Sequence, residues 1–114
     1  MVAVLQKAAQ GFRIPIRTAR LVFTGDYLGA EVVVRLDVPV STFLTIQDMV
    51  ASDQQLKVFE LFGDQIVQSW NLEDDDGIPH PPTGLGMNRI PIQLANMLLE
   101  QWVEAATQPS LPLG

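Results

Sequence analysis

The side chains with the richest chemistry in this 114-residue chain crowd into one stretch. It runs from the acidic series Glu73-Asp74-Asp75-Asp76-Gly77 through His80, set between prolines, to Gly84-Leu85-Gly86 and Arg89. Each group invites a specific chemistry, and its spacing decides against it. A hydrolase or transferase needs a placed nucleophile and a base tuned near neutral pH. His80 is the single histidine, it lies in a proline-rich loop, and no serine stands in a nucleophile-elbow context. Two carboxylates can cleave a glycoside when their environments push their acidities apart. A run of four acids beside glycine and proline reads instead as a solvated turn. A calcium loop takes ligands at alternate positions, which would make Leu72 the first ligand. A dinucleotide fingerprint places a third glycine where Arg89 stands and needs a strand before it. Pro79-His80-Pro81-Pro82 meets the PxxP form of a polyproline ligand, but in a short loop it reads as a stiff connection. The expectation is a binding protein with no catalytic residue, no metal site and no cofactor.

Composition points the same way. Apolar residues make up 47% of the chain, the ordinary level for a folded domain. The absence of cysteine removes disulfides, thiolate catalysis and sulfur-ligated metals together. No apolar run approaches a bilayer-spanning length. The opening MVAVLQKAAQ, with one lysine and a four-residue apolar stretch, does not read as a secretory signal. Charge is uneven. Residues 1–40 set Lys7, Arg13, Arg17, Arg20 and Arg35 against Asp26, Glu31 and Asp37, a net of +2; residues 41–114 set Lys57 and Arg89 against ten carboxylates, a net of −8. The overall −6 argues against nucleic acid as a partner, because phosphate repels such a surface. The asymmetry permits self-association front to back, although an acidic surface also serves plain solubility.

The elements that must position these residues follow from periodicity. Phe12, Ile14 and Ile16 alternate with Arg13, Pro15 and Arg17, and Leu21-Val22-Phe23 follow, so a strand is expected here. Pro15 confines its start to an edge or bulge. Thr24 to Gly29 is a turn and Glu31 to Val38 a second strand, giving an antiparallel hairpin over 12–38. Ser41 caps an expected helix over 41–51. Ser52, with Gln55 three residues on, opens another over 53–70, ended by a left-handed Asn71. On that helix Leu56, Val58, Phe59, Phe62, Ile66, Val67 and Trp70 share about half the circumference, and Leu61 falls outside. Gly63 inside the apolar arc calls for a close approach of neighbouring backbone. Leu72 to Met87 is expected to be loop. Pro91 suits the first turn of a third helix over 90–106, on which Met97 is the apolar residue outside the arc. Trp70 and Trp102 lie mid-arc and are expected to be buried in mutual contact. The expected architecture is α+β, an N-terminal antiparallel hairpin packed on about three helices. It forms a single domain over 12–106, between an arm (1–11) and a tail (107–114).

The segment Phe59-Glu60-Leu61-Phe62, followed by Ser69-Trp70-Asn71-Leu72-Glu73-Asp74-Asp75-Asp76-Gly77-Ile78-Pro79, resembles the small tail assembly chaperones of long-tailed, siphovirus-type bacteriophages, particularly those infecting actinobacteria. The final helix with Leu98-Leu99-Glu100-Gln101-Trp102 is similar too. So are the hairpin around Arg20-Leu21-Val22-Phe23 and Gly29-Ala30-Glu31-Val32, the run Val38 to Leu44, and the closing Leu111-Pro112-Leu113-Gly114. Together these cover residues 18–114. Gly84 to Arg89 depart from the family pattern, where acidic or small residues are usual.

The resemblance implies a role in tail morphogenesis without catalysis. The partners would be the tape measure protein and the tail tube protein of the same phage, with neither nucleic acid nor membrane involved. The location would be the cytoplasm of the infected host, with absence from the mature virion. The alternative is a structural tail or connector protein retained in the virion. Leu61 and Met97, as spare apolar residues, and Trp70 and Trp102, as potential hot spots, are the expected protein-binding residues.

Overall fold

The computed structural model describes residues 10–107. The expected arm (1–11) and tail (107–114) lie largely outside them. The fold is α+β: a three-stranded antiparallel sheet, in the order β1-β2-β3, carries helices. The strands are β1 (Thr18–Val22), β2 (Glu31–Arg35) and β3 (Val67–Trp70). The helices are α1 (Val40–Ala51), α2 (Gln55–Gln65), the single turn α3 (Gly84–Met87) and α4 (Ile92–Thr107). None is long and apolar enough to cross a membrane.

The hairpin forms as a hairpin, but later than its pattern implies. β1 pairs β2 from Thr18 opposite Arg35 to Val22 opposite Glu31, closed by a turn in which Gly25 and Gly29 take positive φ. The segment Phe12 to Ile16 is not strand, because the sheet offers it no neighbouring backbone; its three apolar side chains stand in solvent. Arg17 marks the true beginning. Its backbone N–H and guanidinium all donate to the Asp37 carboxylate, at 2.8–3.0 Å, fastening the entry of β1 to the exit of β2.

The expected helix over 53–70 is the main correction. α2 stops at Gln65 and the chain turns into β3, which pairs antiparallel with β2: Val32 opposite Trp70, Val33 opposite Ser69, Val34 opposite Val67, with a bulge between Val33 and Val34. Ile66, Val67 and Trp70 satisfy a helical arc, yet Val67-Gln68-Ser69-Trp70 also runs as a short strand, and β2 has an unpaired edge to fill. Pairing that edge satisfies a row of backbone groups that a longer helix would leave exposed. Asn71 does not take positive φ. Its side-chain oxygen instead accepts from the Glu31 N–H, and its amide donates to the Gly29 carbonyl, so it ties β3 to the hairpin turn.

Caps differ as well. Pro39, not Ser41, precedes α1, and Ser52 ends α1 rather than opening α2, with Asp53 at φ +58 between the helices. Gln54 holds the N-cap place of α2 with no side-chain bond. α1 and α4 fall within a residue or two of their expected spans.

The sheet buries Leu21, Val32, Val34 and Val67 on the face toward the helices, where they meet Ile46, Val58, Phe62, Leu94, Leu98 and Trp102. The other face, with Thr18, Arg20, Val22, Glu31, Arg35 and Ser69, is open to solvent. Gly63 does what its place in the arc demands: a Cβ there would overlap the backbone of Thr83, so α2 and α3 touch main chain to main chain.

Candidate protein-binding surfaces

The two tryptophans, expected in contact, serve different corners. Trp102 is fully buried, with Phe43 and Phe62 ring centroids at 5.6 and 5.7 Å, the latter edge-on. Its indole N–H donates to the Arg35 carbonyl at 2.8 Å, so α4 is pinned to the last residue of β2. Trp70 leaves β3 half-buried, and its indole donates to the His80 carbonyl at 2.7 Å. A Cβ on Gly86 would strike both Pro81 and the Trp70 ring, so this tryptophan clamps the proline loop against α3.

The acidic run is likewise architectural. The Asp74 carboxylate accepts from the N–H groups of Asp76 and Ile78 at 2.8 and 2.9 Å, closing the turn on itself. The backbone of Asp74 pairs with Ile78, and that of His80 donates to Leu72. Among the described residues no three or more His, Asp or Glu side chains gather in a way that could hold a metal ion. His80 takes part through its backbone, and Asp64 accepts from the Gly84 N–H at 2.7 Å. Trp70, Asn71 and Asp74 therefore each have a structural task that accounts for their residue type, and the Leu72 side chain is buried in the core.

Among the described residues, exposed apolar surface lies on the helices. Between α1 and α4 runs a groove of about 570 Å³, floored by Phe43, Ile46, Val50, Leu99 and Val103 and edged by Glu100 and Glu104. A second hollow of about 300 Å³ lies between α2 and α4, with Leu56 and Ile92 at its mouth, 62% and 58% exposed. Leu61 and Met97, expected to stand outside their arcs, are half-buried and pack on the core. The helix arcs are rotated from their expected setting: Leu56 and Ile92, which belong to the expected arcs, face out. A helix that supports a sheet on one side and another helix on a second side spreads its buried arc unevenly, and a sequence pattern does not say toward which.

Set beside known proteins, the chain matches no family model, no curated protein and no solved structure.

Proposed function

We propose that the chain is a tail assembly chaperone of a long-tailed bacteriophage: a protein-binding module that holds the tape measure protein and recruits tail tube subunits in the infected cell. The family part of this reading rests on the residues Ser69 to Pro79 and their neighbours. The binding part rests on one observation, a helical layer whose apolar residues Leu44, Leu56 and Ile92 stay exposed among the described residues.

A long helical client with an apolar face is poorly soluble alone. A chaperone must cover that face with many weak contacts that later release. A half-open hollow with two flanking aliphatics suits helix-in-groove recognition, and the net charge of −6 keeps a coated client dispersed by mutual repulsion. Leu61 and Met97 offer less free surface than Leu56 and Ile92. Trp102 acts through the core. Trp70 acts through the loop it clamps.

The test is co-expression with the cognate tape measure protein. The expected result is a soluble tape measure carrying several copies of this chain, measured by co-purification and light scattering. A tape measure that stays in the pellet would overturn the proposal.

A further inference from the structure

An apolar arm and an apolar groove, neither of them covered by the described residues, occur in the same chain with opposite charge. The arm is the segment from Phe12 to Ile16. Its side chains alternate like those of a strand, yet Phe12, Ile14 and Ile16 are 83%, 75% and 63% exposed. Three apolar residues at every second position are costly to leave in water, and the pattern serves no pairing within the described residues. The arm also carries Arg13, which enters no ion pair among the described residues.

The groove between α1 and α4 is the complementary surface. Its floor is Phe43, Ile46, Val50, Leu99 and Val103, and Glu100 and Glu104 stand on one side. An extended segment from Phe12 to Ile16 spans about 13 Å, and the stretch of α1 from Phe43 to Val50 rises about 10 Å, so the two match in length. Extended backbone in the groove sends Phe12, Ile14 and Ile16 to the floor and Arg13 outward, toward carboxylates.

The arm does not fill the groove of its own copy. Arg17 is bolted to Asp37, while Ile14 and Pro15 line a neighbouring hollow with Val38, Val40, Phe43 and Ala106, and Phe43 lines the end of the groove as well. From that root the three side chains remain in solvent.

We infer that the Phe12–Ile16 arm of one copy docks in the α1/α4 groove of a second copy, with Arg13 facing Glu100 and Glu104. The contact joins two different surfaces, so it is head-to-tail and repeats without closing unless the rotation happens to form a ring. One short arm buries less than a standard interface, which makes the association weak and dependent on concentration. It concerns this chain alone and stands or falls apart from the tape measure reading.

The experiment is sedimentation velocity on the full chain over a concentration series, with two variants. Phe12→Asp combined with Ile14→Asp spoils the arm. Val50→Glu spoils the groove. All three positions are exposed, and a melting curve for each variant confirms that it folds. The wild type is expected to grow in mass with concentration, and to do so less at high salt, where exposed charge pairs are screened. Each variant alone is expected to stay monomeric. Mixed together they are expected to form one-to-one pairs and nothing longer, because the arm variant keeps its groove and the groove variant keeps its arm. A wild type that stays monomeric throughout overturns the inference; so does an arm variant that associates like the wild type, or a mixture that forms no pairs.

Discussion

Trp70 and Trp102 mark two corners of the molecule built on opposite principles. Around Trp102 the contacts are apolar: two aromatic rings and the buried faces of α1, α2 and α4 enclose it, and one hydrogen bond satisfies its indole. Around Trp70 the fastening is polar and local, made by the indole on the His80 carbonyl, by Asn71 on the hairpin turn and by Asp74 on its own loop. The first corner supplies stability, and the groove opens beside it. The second corner supplies shape, and it fixes the loop that brings α3 against α2. One residue type thus supports two tasks, and the neighbours decide which.

That contrast fixes an order of mutational effects. Trp102→Ala is expected to cost about 3–5 kcal/mol, because it opens a large cavity and strands the Arg35 carbonyl; a denaturant titration that matches the parent would break the comparison. Gly63→Ala comes next. It forces α2 and Thr83 apart in a place with no soft side chain to yield, at about 1–3 kcal/mol, read from the shift in melting temperature. Trp70→Phe keeps most of the ring and loses the bond to His80, so a loss of about 0.5–1.5 kcal/mol is expected. If Trp70→Phe were to cost as much as Trp102→Ala, the loop corner would belong to the core after all.

The smallest effect lies at the Arg17–Asp37 fastening. The Arg17 guanidinium, hydrogen-bonded to Asp37, holds that carboxyl below the usual carboxylate range, and Asp37 in turn raises Arg17. A carboxylate with a lowered folded pKa stabilises fully above its unfolded value near 3.9, and the contribution is lost as pH falls through the folded value. Asp37→Asn is therefore expected to lower stability slightly at neutral pH, with the difference from the parent fading as pH falls below about 4, so that the acid limb is flatter. An unchanged acid limb would show that the pair contributes nothing measurable.

These particulars also show what is legible in the chain. α4 can be read because apolar residues recur along it at helical spacing, whereas α1 falls close to its expected span without the Ser41 cap that suggested it. Gly63 can be read because a glycine within an apolar arc leaves a notch that only close-packed backbone fills. β3 is not legible, since Ile66, Val67 and Trp70 fit a helical arc and a strand alike; the arbiter is β2, far earlier in the sequence, whose edge needs a partner. The arm fails in the opposite sense. Its alternation is real, but alternation reports a preference for burial and not the presence of something to bury against. The exposed aliphatics differ from the expected ones for a related reason: Leu61 and Met97 pack on the core while Leu56 and Ile92 face out, because the orientation of each arc depends on the sheet beneath.

The central proposal is that partner binding belongs to the helical layer and not to the open face of the sheet. Both surfaces expose aliphatic side chains, Leu56 and Ile92 on one and Val22 on the other, so a matched pair of variants compares them directly. Co-purification with the tape measure protein should be measured for Leu56→Glu combined with Ile92→Glu, and for Val22→Glu, after a melting curve shows each folded. The account predicts that the helical variant loses most of the bound tape measure while Val22→Glu retains it. Full binding by the helical variant, with loss in Val22→Glu, would contradict it.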